Sequence, residues 1–283
     1  MHPLNQWPLE DRRQLIGVFT DIDDTLTTDG AITPDALQAL KQLKDAGLHV
    51  IPITGRPIGW SEPFARGDAT RSIAPWPVDA LVAENGAAAF ANLTFDKIGL
   101  QPSYSLHKTL SKLYQQDAAT RAANYSRMQA VAQRVLREVP GATIATDSAG
   151  RETDIAIDHS EFTHLPPPQI AQVVRIMQDA GMTATVSSIH INGWYGAHHK
   201  LAGARWIVRE LYGRDLDAEL GRWVYVGDST NDQVMFEHFP HSVGVANIRR
   251  FEAALSHKPR YITQGVRGAG FAEVARAILC AQD

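Results

Sequence analysis

The sequence has little of what marks a secreted, membrane or nucleic-acid-binding chain. Its 283 residues include one cysteine, Cys280, which excludes an internal disulfide or a cysteine zinc site and fits a reducing, cytoplasmic setting. No apolar run approaches the ~18 residues of a membrane span, and residues 1–7 lack the basic and apolar regions of a secretory signal. The net charge of −4, from 27 Lys and Arg against 31 Asp and Glu, gives no field that favours nucleic acid. We therefore expect a cytoplasmic enzyme or binding protein that does not act on membranes or nucleic acids.

What is present is an alternation of short apolar runs and amphipathic segments. The length gives about two domains at roughly 150 residues each. Residues 15–19 form a near-continuous apolar run, Thr33-Pro34 begins a helical pattern, and residues 49–53 form a second run. The same rhythm returns with a helical pattern over 200–212 and a strand over 223–226. This order predicts an α/β fold with a doubly wound parallel sheet.

The middle of the chain differs from both flanks. Its predicted elements are helices and strands in a mixed order: a helix at 125–139, strands at 142–146 and 154–157, a helix at 168–180 and a strand at 183–191. Ser148 to Arg151 joins two of these strands, which predicts an antiparallel hairpin. We therefore expect a core made of residues 1–86 and 197–283, interrupted by an α+β cap domain at 87–196.

Aspartates follow two of the predicted core strands: Asp21, Asp23, Asp24, Asp228 and Asp232. Ligands of such sheets bind at the carboxyl ends of strands. Two like charges held together require a cation, and hard oxygen ligands suit Mg²⁺. A solvated acidic loop is the simpler alternative for the first group. A calcium loop starting at Asp21 fails, because Leu26 and Ile32 stand where glycine and glutamate are needed.

An ordered motif set resembles the haloacid dehalogenase superfamily. The set is Asp21-Ile22-Asp23-Asp24-Thr25, then Thr54-Gly55-Arg56, then Lys200, then Gly227-Asp228-Ser229-Thr230-Asn231-Asp232. The insert follows Glu84-Asn85-Gly86, a placement similar to that of the C2-type cap in Cof-like and sucrose-phosphatase-like sugar phosphatases. The resemblance implies the superfamily's α/β core with an inserted C2-type cap.

The resemblance also implies roles for individual residues. Asp21 is the expected nucleophile, and Asp23 is the expected general acid for the leaving alcohol and then the base for water. Mg²⁺ is expected on Asp21, Asp228 and the backbone carbonyl of Asp23. Phosphate-binding groups must meet the charge of the transferring group; they are expected to be the hydroxyl and backbone N–H of Thr54, then Gly55 and Lys200. Asn231 and Asp232 are expected to support the site, with Asp232 orienting Lys200.

Substrate choice is expected to lie with the cap and its borders. The candidate substrate residues are polar or aromatic groups near the two junctions: Arg56, Asn85, His190, Asn192 and Trp194. Aromatic rings with polar partners suit a sugar face, although packing between domains is an alternative for Trp194 and a simple turn is one for Asn85. Arg151 is expected to be a solvated turn charge, with reach over a substrate anion as the alternative, and zinc binding by His198 and His199 is disfavoured.

The predicted function is Mg²⁺-dependent hydrolysis of a small phosphorylated metabolite, a sugar phosphate, through an aspartyl-phosphate. Two alternatives stay open. A phosphomutase or phosphotransferase would deliver the same phosphoryl group to a second hydroxyl, and a non-catalytic metabolite-binding protein would keep only the fold. The substrate's identity and the oligomeric state are not predicted.

Overall fold

The computed structural model describes residues 1–93 and 109–282. Within these residues the largest sheet has six strands, all paired in parallel. Their spatial order is β1 (His2–Pro3), β15 (Tyr261–Ile262), β14 (His241–Gly244), β13 (Trp223–Gly227), β2 (Gly17–Thr20) and β5 (His49–Pro52). β13 and β2 are neighbours at the centre although about 200 residues separate them in sequence. The predicted α/β class with a parallel sheet is confirmed.

Both faces of this sheet are covered, as the continuous apolar runs predict. Side chains alternate between the two faces along each strand: Val18 packs on one face and Phe19 on the other. One face is covered by α2 (Pro34–Asp45) and α8 (Arg267–Gln282), with α1 (Leu9–Arg13) packed against α8, and the other by α6 (Lys200–Tyr212) and α7 (Gln233–His238). No helix in the described part of the chain is long and apolar enough to cross a membrane.

The helix predicted from Thr33-Pro34 shows why local signals succeed here. The Thr33 hydroxyl accepts a hydrogen bond from the Ala36 N–H at 3.4 Å, and Pro34 fills the first helical position. Gly47, with φ of +83°, follows the end of α2. Just before this helix, β3 (Thr27–Thr28) and β4 (Ala31–Ile32) form a small antiparallel hairpin that the sequence patterns do not predict.

The sheet continues beyond the predicted core boundary at residue 86. Ile53 forms a parallel bridge to Val82 of β6 (Ala80–Ala83). β6 then pairs antiparallel with β7 (Ala88–Leu93), which pairs with β8 (Thr109–Tyr114). By strand pairing, both β7 and β8 belong to this edge and not to the cap sheet. We propose that the cap unit begins near residue 118; part of the predicted range 87–196, residues 94–108, lies outside the described residues.

The cap is an antiparallel sheet covered by two helices. Its strand order is β11 (Thr183–Val186), β12 (His190–Trp194), β10 (Ile155–Asp158) and β9 (Thr143–Ile144). Helices α4 (Ala118–Glu138) and α5 (Pro167–Asp179) pack against it. β9 and β10 form the predicted antiparallel pair around residues 148–151.

The predicted single strand at 183–191 is wrong, because two strands with a turn occupy this stretch. The Ser187 hydroxyl accepts hydrogen bonds from the N–H groups of Ile189 and His190 and so closes the turn. β11 and β12 then pair antiparallel. This hairpin places His190 and Asn192 on a central strand of the cap sheet.

Candidate active site

The aspartates that follow β2 and β13 lie together because these strands are neighbours. The N–H of Asp21 donates to the carbonyl of Val226 at 2.8 Å, which fixes Asp21 beside the end of β13. Carboxylate oxygens of Asp21, Asp228 and Asp232 all lie within 4.8 Å of one another, and all three residues are buried. The structure therefore brings three of the five predicted aspartates together at the carboxyl ends of these strands.

Burial and mutual repulsion make this cluster costly without a compensating cation. Burial raises the pKa of Asp21 to about 7; the charge of Lys200 opposes this rise, and the charges of Asp232 and Asp23 add to it. Burial, with the charges of Asp21 and Asp232 added, raises the pKa of Asp228 well above its usual range.

The donor set fits a small divalent cation. Oδ1 of Asp228 is buried and has no hydrogen-bond partner among the residues described, so a strong acceptor is left open. Its Oδ2 accepts from Asn247 Nδ2 at 2.9 Å and from Arg250 at 3.1 Å. An open carboxylate oxygen beside a second buried carboxylate is the hard oxygen environment that Mg²⁺ and similar ions prefer.

Asp232 is suited to support the site because both of its oxygens are already occupied. Oδ1 accepts from Lys200 Nζ at 2.7 Å and from the Tyr225 hydroxyl, and Oδ2 accepts from the N–H groups of Asp228 and Ser229 at 2.9 and 3.0 Å. The carboxylate therefore holds the lysine and the loop after β13 at once. Asn231 also acts within this loop, since its Oδ1 accepts from the Ser229 hydroxyl at 2.8 Å.

Lys200 is a buried cation at the first position of α6. Its side chain is 1% exposed, and Nζ donates to Asp21 Oδ1 at 2.6 Å as well as to Asp232. Burial alone would lower the pKa of Lys200, but the two carboxylates outweigh it and raise that pKa. The Nδ1 of His199 accepts from the Ala202 N–H and caps the helix.

In the loop after β5, the backbone N–H of Thr54 does not have the role predicted for it in phosphate binding. The N–H of Thr54 donates to the carbonyl of Val82 at 2.9 Å. The expectation that this N–H faces a phosphate is therefore wrong, because the β5–β6 bridge uses it. The Thr54 hydroxyl accepts from the Arg56 N–H at 3.0 Å and shapes the turn that carries Gly55.

Arg56 lies where the core and the cap meet. Its Nε donates to both oxygens of Asp23 at 3.0 and 3.1 Å. Its two terminal nitrogens reach the cap, at 3.1 Å from Asp147 Oδ2 and 2.7 Å from Glu161 Oε1. The guanidinium group also lies 5.2 Å from the ring centre of Trp60. One buried side chain thus connects Asp23 to two carboxylates of the cap.

Other polar cap residues line the same boundary. Arg151 NH1 donates to the Gly55 carbonyl at 2.9 Å and to Asp154 at 2.8 Å. Asn192 Nδ2 donates to Asp154 at 2.8 Å and to the Gly55 carbonyl at 3.3 Å. The expectation that Arg151 is a solvated turn charge is wrong: its side chain is 1% exposed. Burial raises the pKa of Asp154 to about 7 although Arg151 opposes the rise.

The remaining predicted substrate residues fall in different places. His190 lies at the boundary, with Nε2 2.8 Å from Glu161 Oε2. Asn85 has φ of +54°, and its buried Nδ2 has no hydrogen-bond partner in the described ranges. This atom lies close to Gly55, since a Cβ added to Gly55 would be 3.3 Å from it. Trp194 is not brought to the cluster, because its ring is buried in the cap core and its indole N–H donates to the His198 carbonyl.

Sequence reasoning missed several residues of this site. They share contacts with partners far away in sequence: Glu84, Asp147, Asp154, Glu161, Asn247 and Arg250. Asn247 follows β14, so its place after a core strand was a usable signal. The cap residues carry no such local signal.

Known proteins resemble the chain in sequence over part of its length. Residues 18–132 match the family of haloacid dehalogenase-like hydrolases. Over these residues, which make up less than half of the chain, the sequence is similar to that family of enzymes. Among curated protein sequences, none matches the chain.

Several solved structures share the fold over nearly the whole chain. One is a HAD/COF-like hydrolase from Plasmodium vivax, with 15% identity, a TM-score of 0.65, and coverage of 96% of this chain and 99% of that one. Another is the sucrose-phosphatase of Synechocystis, with 15% identity, a TM-score of 0.63, and coverage of 94% and 98%. The C-terminal domain of trehalose-6-phosphate phosphatase from C. albicans has 13% identity, a TM-score of 0.63, and coverage of 99% and 98%.

Proposed function

We propose that the protein is a Mg²⁺-dependent phosphatase of the cytoplasm that hydrolyses a small phosphomonoester, a sugar phosphate, through an aspartyl-phosphate on Asp21. The observation that carries this proposal is the buried group of Asp21, Asp228, Asp232 and Lys200 beneath a polar cap boundary. The names of the similar sucrose and trehalose-6-phosphate phosphatases support the substrate class.

In the first step an Asp21 oxygen attacks the phosphorus atom. The ester P–O bond breaks, and its electron pair goes to the leaving oxygen, which takes a proton from the Asp23 carboxyl group. Lys200 holds Asp21 through a 2.6 Å contact, so the nucleophile is oriented before substrate arrives.

In the second step Asp23 accepts a proton from water, and the water oxygen attacks the same phosphorus. The bond from phosphorus to the Asp21 oxygen breaks, and the Asp21 carboxylate returns with its electron pair. Asp21, Asp228 and the backbone carbonyl of Asp23 would hold Mg²⁺, which would supply positive charge against the phosphate oxygens. Asp232 keeps Lys200 and the loop after β13 in place.

The cap boundary suits a neutral leaving group with many hydroxyls. Its side chains include carboxylates, an amide and an imidazole, types of group that can exchange hydrogen bonds with sugar hydroxyls: Asp147, Glu161, His190 and Asn192. The arginines needed to bind a second phosphate, as in a phosphomutase, are already paired, since Arg56 and Arg151 each contact cap carboxylates. Hydrolysis is therefore favoured over transfer to a second hydroxyl.

The test is phosphate release from a panel of hexose phosphates, disaccharide phosphates and aryl phosphates, with and without Mg²⁺. We expect Mg²⁺-dependent turnover that falls at least about a thousandfold in Asp21→Asn, because the nucleophile is lost. Asp217→Asn, which changes an exposed aspartate, is the matched control and should keep wild-type rates. Ligand-dependent thermal stabilisation without turnover of any ester would instead support the non-catalytic alternative.

A further inference from the structure

The Arg56 guanidinium group is shared by three carboxylates from two parts of the molecule. Asp23 comes from the core, and Asp147 and Glu161 come from the cap. The side chain of Arg56 is 6% exposed. A planar guanidinium group with donors on each edge can hold three carboxylates only in a fixed orientation.

The cap builds a rigid support for Glu161. The Asp158 carboxylate accepts from four consecutive N–H groups, those of residues 160–163, at 2.9–3.1 Å. The second oxygen of Glu161 contacts His190 Nε2 at 2.8 Å. Burial would raise the pKa of Glu161, but hydrogen bonds from His190 and Arg56 outweigh it and lower the pKa to about 2. The carboxylate is therefore an oriented anion aimed at Arg56.

We propose that Glu161 and Asp147 are positioning residues that act through Arg56 to orient the Asp23 carboxyl group toward the leaving oxygen. The inference rests on the proposed function, since it concerns the first step of that reaction. The cap carboxylates hold the two terminal nitrogens of Arg56, so that the edge formed by Nε and NH2 is presented to Asp23, with NH2 2.9 Å from Asp23 Oδ1. When the ester P–O bond breaks, the proton that passes from Asp23 to the leaving oxygen starts from a carboxyl group whose direction the cap has set.

Removing one cap charge gives the guanidinium group freedom to follow Asp23. In Glu161→Gln, Arg56 keeps Asp23 and Asp147, but its 2.7 Å partner becomes a neutral amide that holds the guanidinium group less strongly. Proton delivery to the leaving oxygen depends on sub-ångström placement. The defect should therefore appear only for leaving groups that need a proton.

The experiment compares two aryl esters in single-turnover reactions with Mg²⁺, following release of the phenol, which reports transfer to Asp21 alone. Phenyl phosphate has a poor leaving group that needs a proton, whereas dinitrophenyl phosphate loses a stable phenolate without one. We expect Glu161→Gln to slow release from phenyl phosphate about tenfold and to leave the dinitrophenyl rate within about twofold. The retained dinitrophenyl rate also shows that the variant is folded.

The matched control is Glu152→Gln. Glu152 is another cap carboxylate at the boundary, paired with Lys112 and Tyr114 and not with Arg56. It should leave the ratio of the two rates unchanged. Asp23→Asn is the reference variant and should show a selective loss at least as large as that of Glu161→Gln.

The outcomes separate this inference from the function on which it rests. Equal slowing of both esters by Glu161→Gln, or slowing of neither, overturns the positioning role while the phosphatase proposal stands. A wild-type protein that releases neither phenol overturns the proposed function, and the inference with it. The same change of ratio in Glu152→Gln would show that cap closure in general, and not the contact with Arg56, sets the selectivity.

Discussion

At the scale of single residues, the site depends on one buried cation between two buried carboxylates. Lys200 Nζ lies 2.6 Å from Asp21 and 2.7 Å from Asp232. Removing a charge from such a group leaves its partners buried and unpaired, which costs more than the intact pairs contribute. The lysine is therefore expected to matter for stability as well as for phosphate binding.

We predict that Lys200→Met lowers the free energy of unfolding by about 3 kcal/mol in the absence of Mg²⁺. Urea unfolding followed by tryptophan fluorescence measures this change. Lys41→Met is the control, because its pair with Asp45 is exposed and should contribute little. A Lys200→Met protein as stable as wild type would contradict the buried, paired state of this lysine.

His198 gives the protein a pH dependence that is independent of the carboxylate cluster. Burial and the neighbouring charge of His199 lower the pKa of His198 to about 4, against about 6.5 in an unfolded chain. Below 6.5 the unfolded chain therefore binds a proton that the folded protein resists. This contribution to stability is present at neutral pH and is lost as the pH falls from about 6.5 toward about 4.

We predict that His198→Phe reduces the loss of stability between about pH 7 and about pH 4.5, by roughly 3 kcal/mol at most. Phenylalanine can keep the ring packing on Trp194, whose centre lies 5.3 Å away. Urea unfolding at the two pH values provides the comparison. His257→Phe, at an exposed histidine, should behave as wild type; the idea fails if both variants show the same pH profile.

At the scale of elements, α6 reaches the site because two glycines let it approach the turn at residues 84–86. A Cβ on Gly203 would lie 2.5 Å from the Cα of Gly86, which is backbone and cannot move aside. Gly86 itself has φ of +104°, a conformation that suits only glycine. This close contact fixes the start of the helix, where Lys200 lies.

We predict that Gly203→Ala destabilises the protein by about 1–3 kcal/mol through overpacking and lowers turnover by displacing Lys200. Helix propensity alone predicts the opposite sign, a gain of about 1 kcal/mol, so the direction of the change is decisive. Thermal unfolding and phosphate release are the measurements. Gly221→Ala, where an added Cβ meets nothing within 4 Å, should leave stability and turnover nearly unchanged.

Elements were predictable where the signal was local. The helix that begins at Lys200 and the strand at Trp223 follow from periodicity over a few residues, and Thr33 caps its helix as its type predicts. The strand predicted at 183–191 failed because β-branched residues continue through it, while a single serine side chain, Ser187, closes the turn. A turn made by a side-chain hydrogen bond leaves no periodic trace.

Only the core half of the site was predictable, because only its residues carry a local sequence signal. Asp21 and Asp228 end neighbouring strands, and the rule that ligands bind at strand ends applies to each separately. Arg151 looked like a turn charge although Asp147 and Asp154 lie four and three residues away, because the Gly55 carbonyl of the core is brought to it by tertiary folding. Nothing near Arg151 in the sequence marks the approach of the core loop.

At the scale of the whole molecule, the cap and the core exchange buried charges. Arg56 of the core reaches cap carboxylates, and the buried carboxylate of Glu84, in the core, accepts from the N–H groups of Glu152 and Thr153 in the cap. Glu84 also accepts from the Ile58 N–H at 3.0 Å, which ties the same group to α3 (Ile58–Arg66). These contacts join the cap to the core at the loop after β5 and at the turn after β6.

An amide cannot take over the contacts of the Glu84 carboxylate, because the groups around that carboxylate are hydrogen-bond donors. In Glu84→Gln the side chain has one acceptor oxygen, and its NH₂ group would face N–H groups of the cap or the core. An unsatisfied buried donor costs about 1–3 kcal/mol, and this cost falls on the closed state. We therefore predict that the amides of Glu152 and Thr153 exchange with solvent at least about tenfold faster in this variant.

Hydrogen exchange followed by mass spectrometry tests this prediction, with the strand β13 as an internal reference. Because β13 lies at the centre of the core sheet, local opening of the cap should leave its exchange unchanged, whereas global destabilisation would accelerate β13 as well. Glu62→Gln, at an exposed pair with Arg66, should reproduce the wild-type pattern. Faster exchange confined to residues 152–153 would show that a core carboxylate holds the cap closed; equal acceleration in β13 would show that Glu84 serves the stability of the whole fold instead.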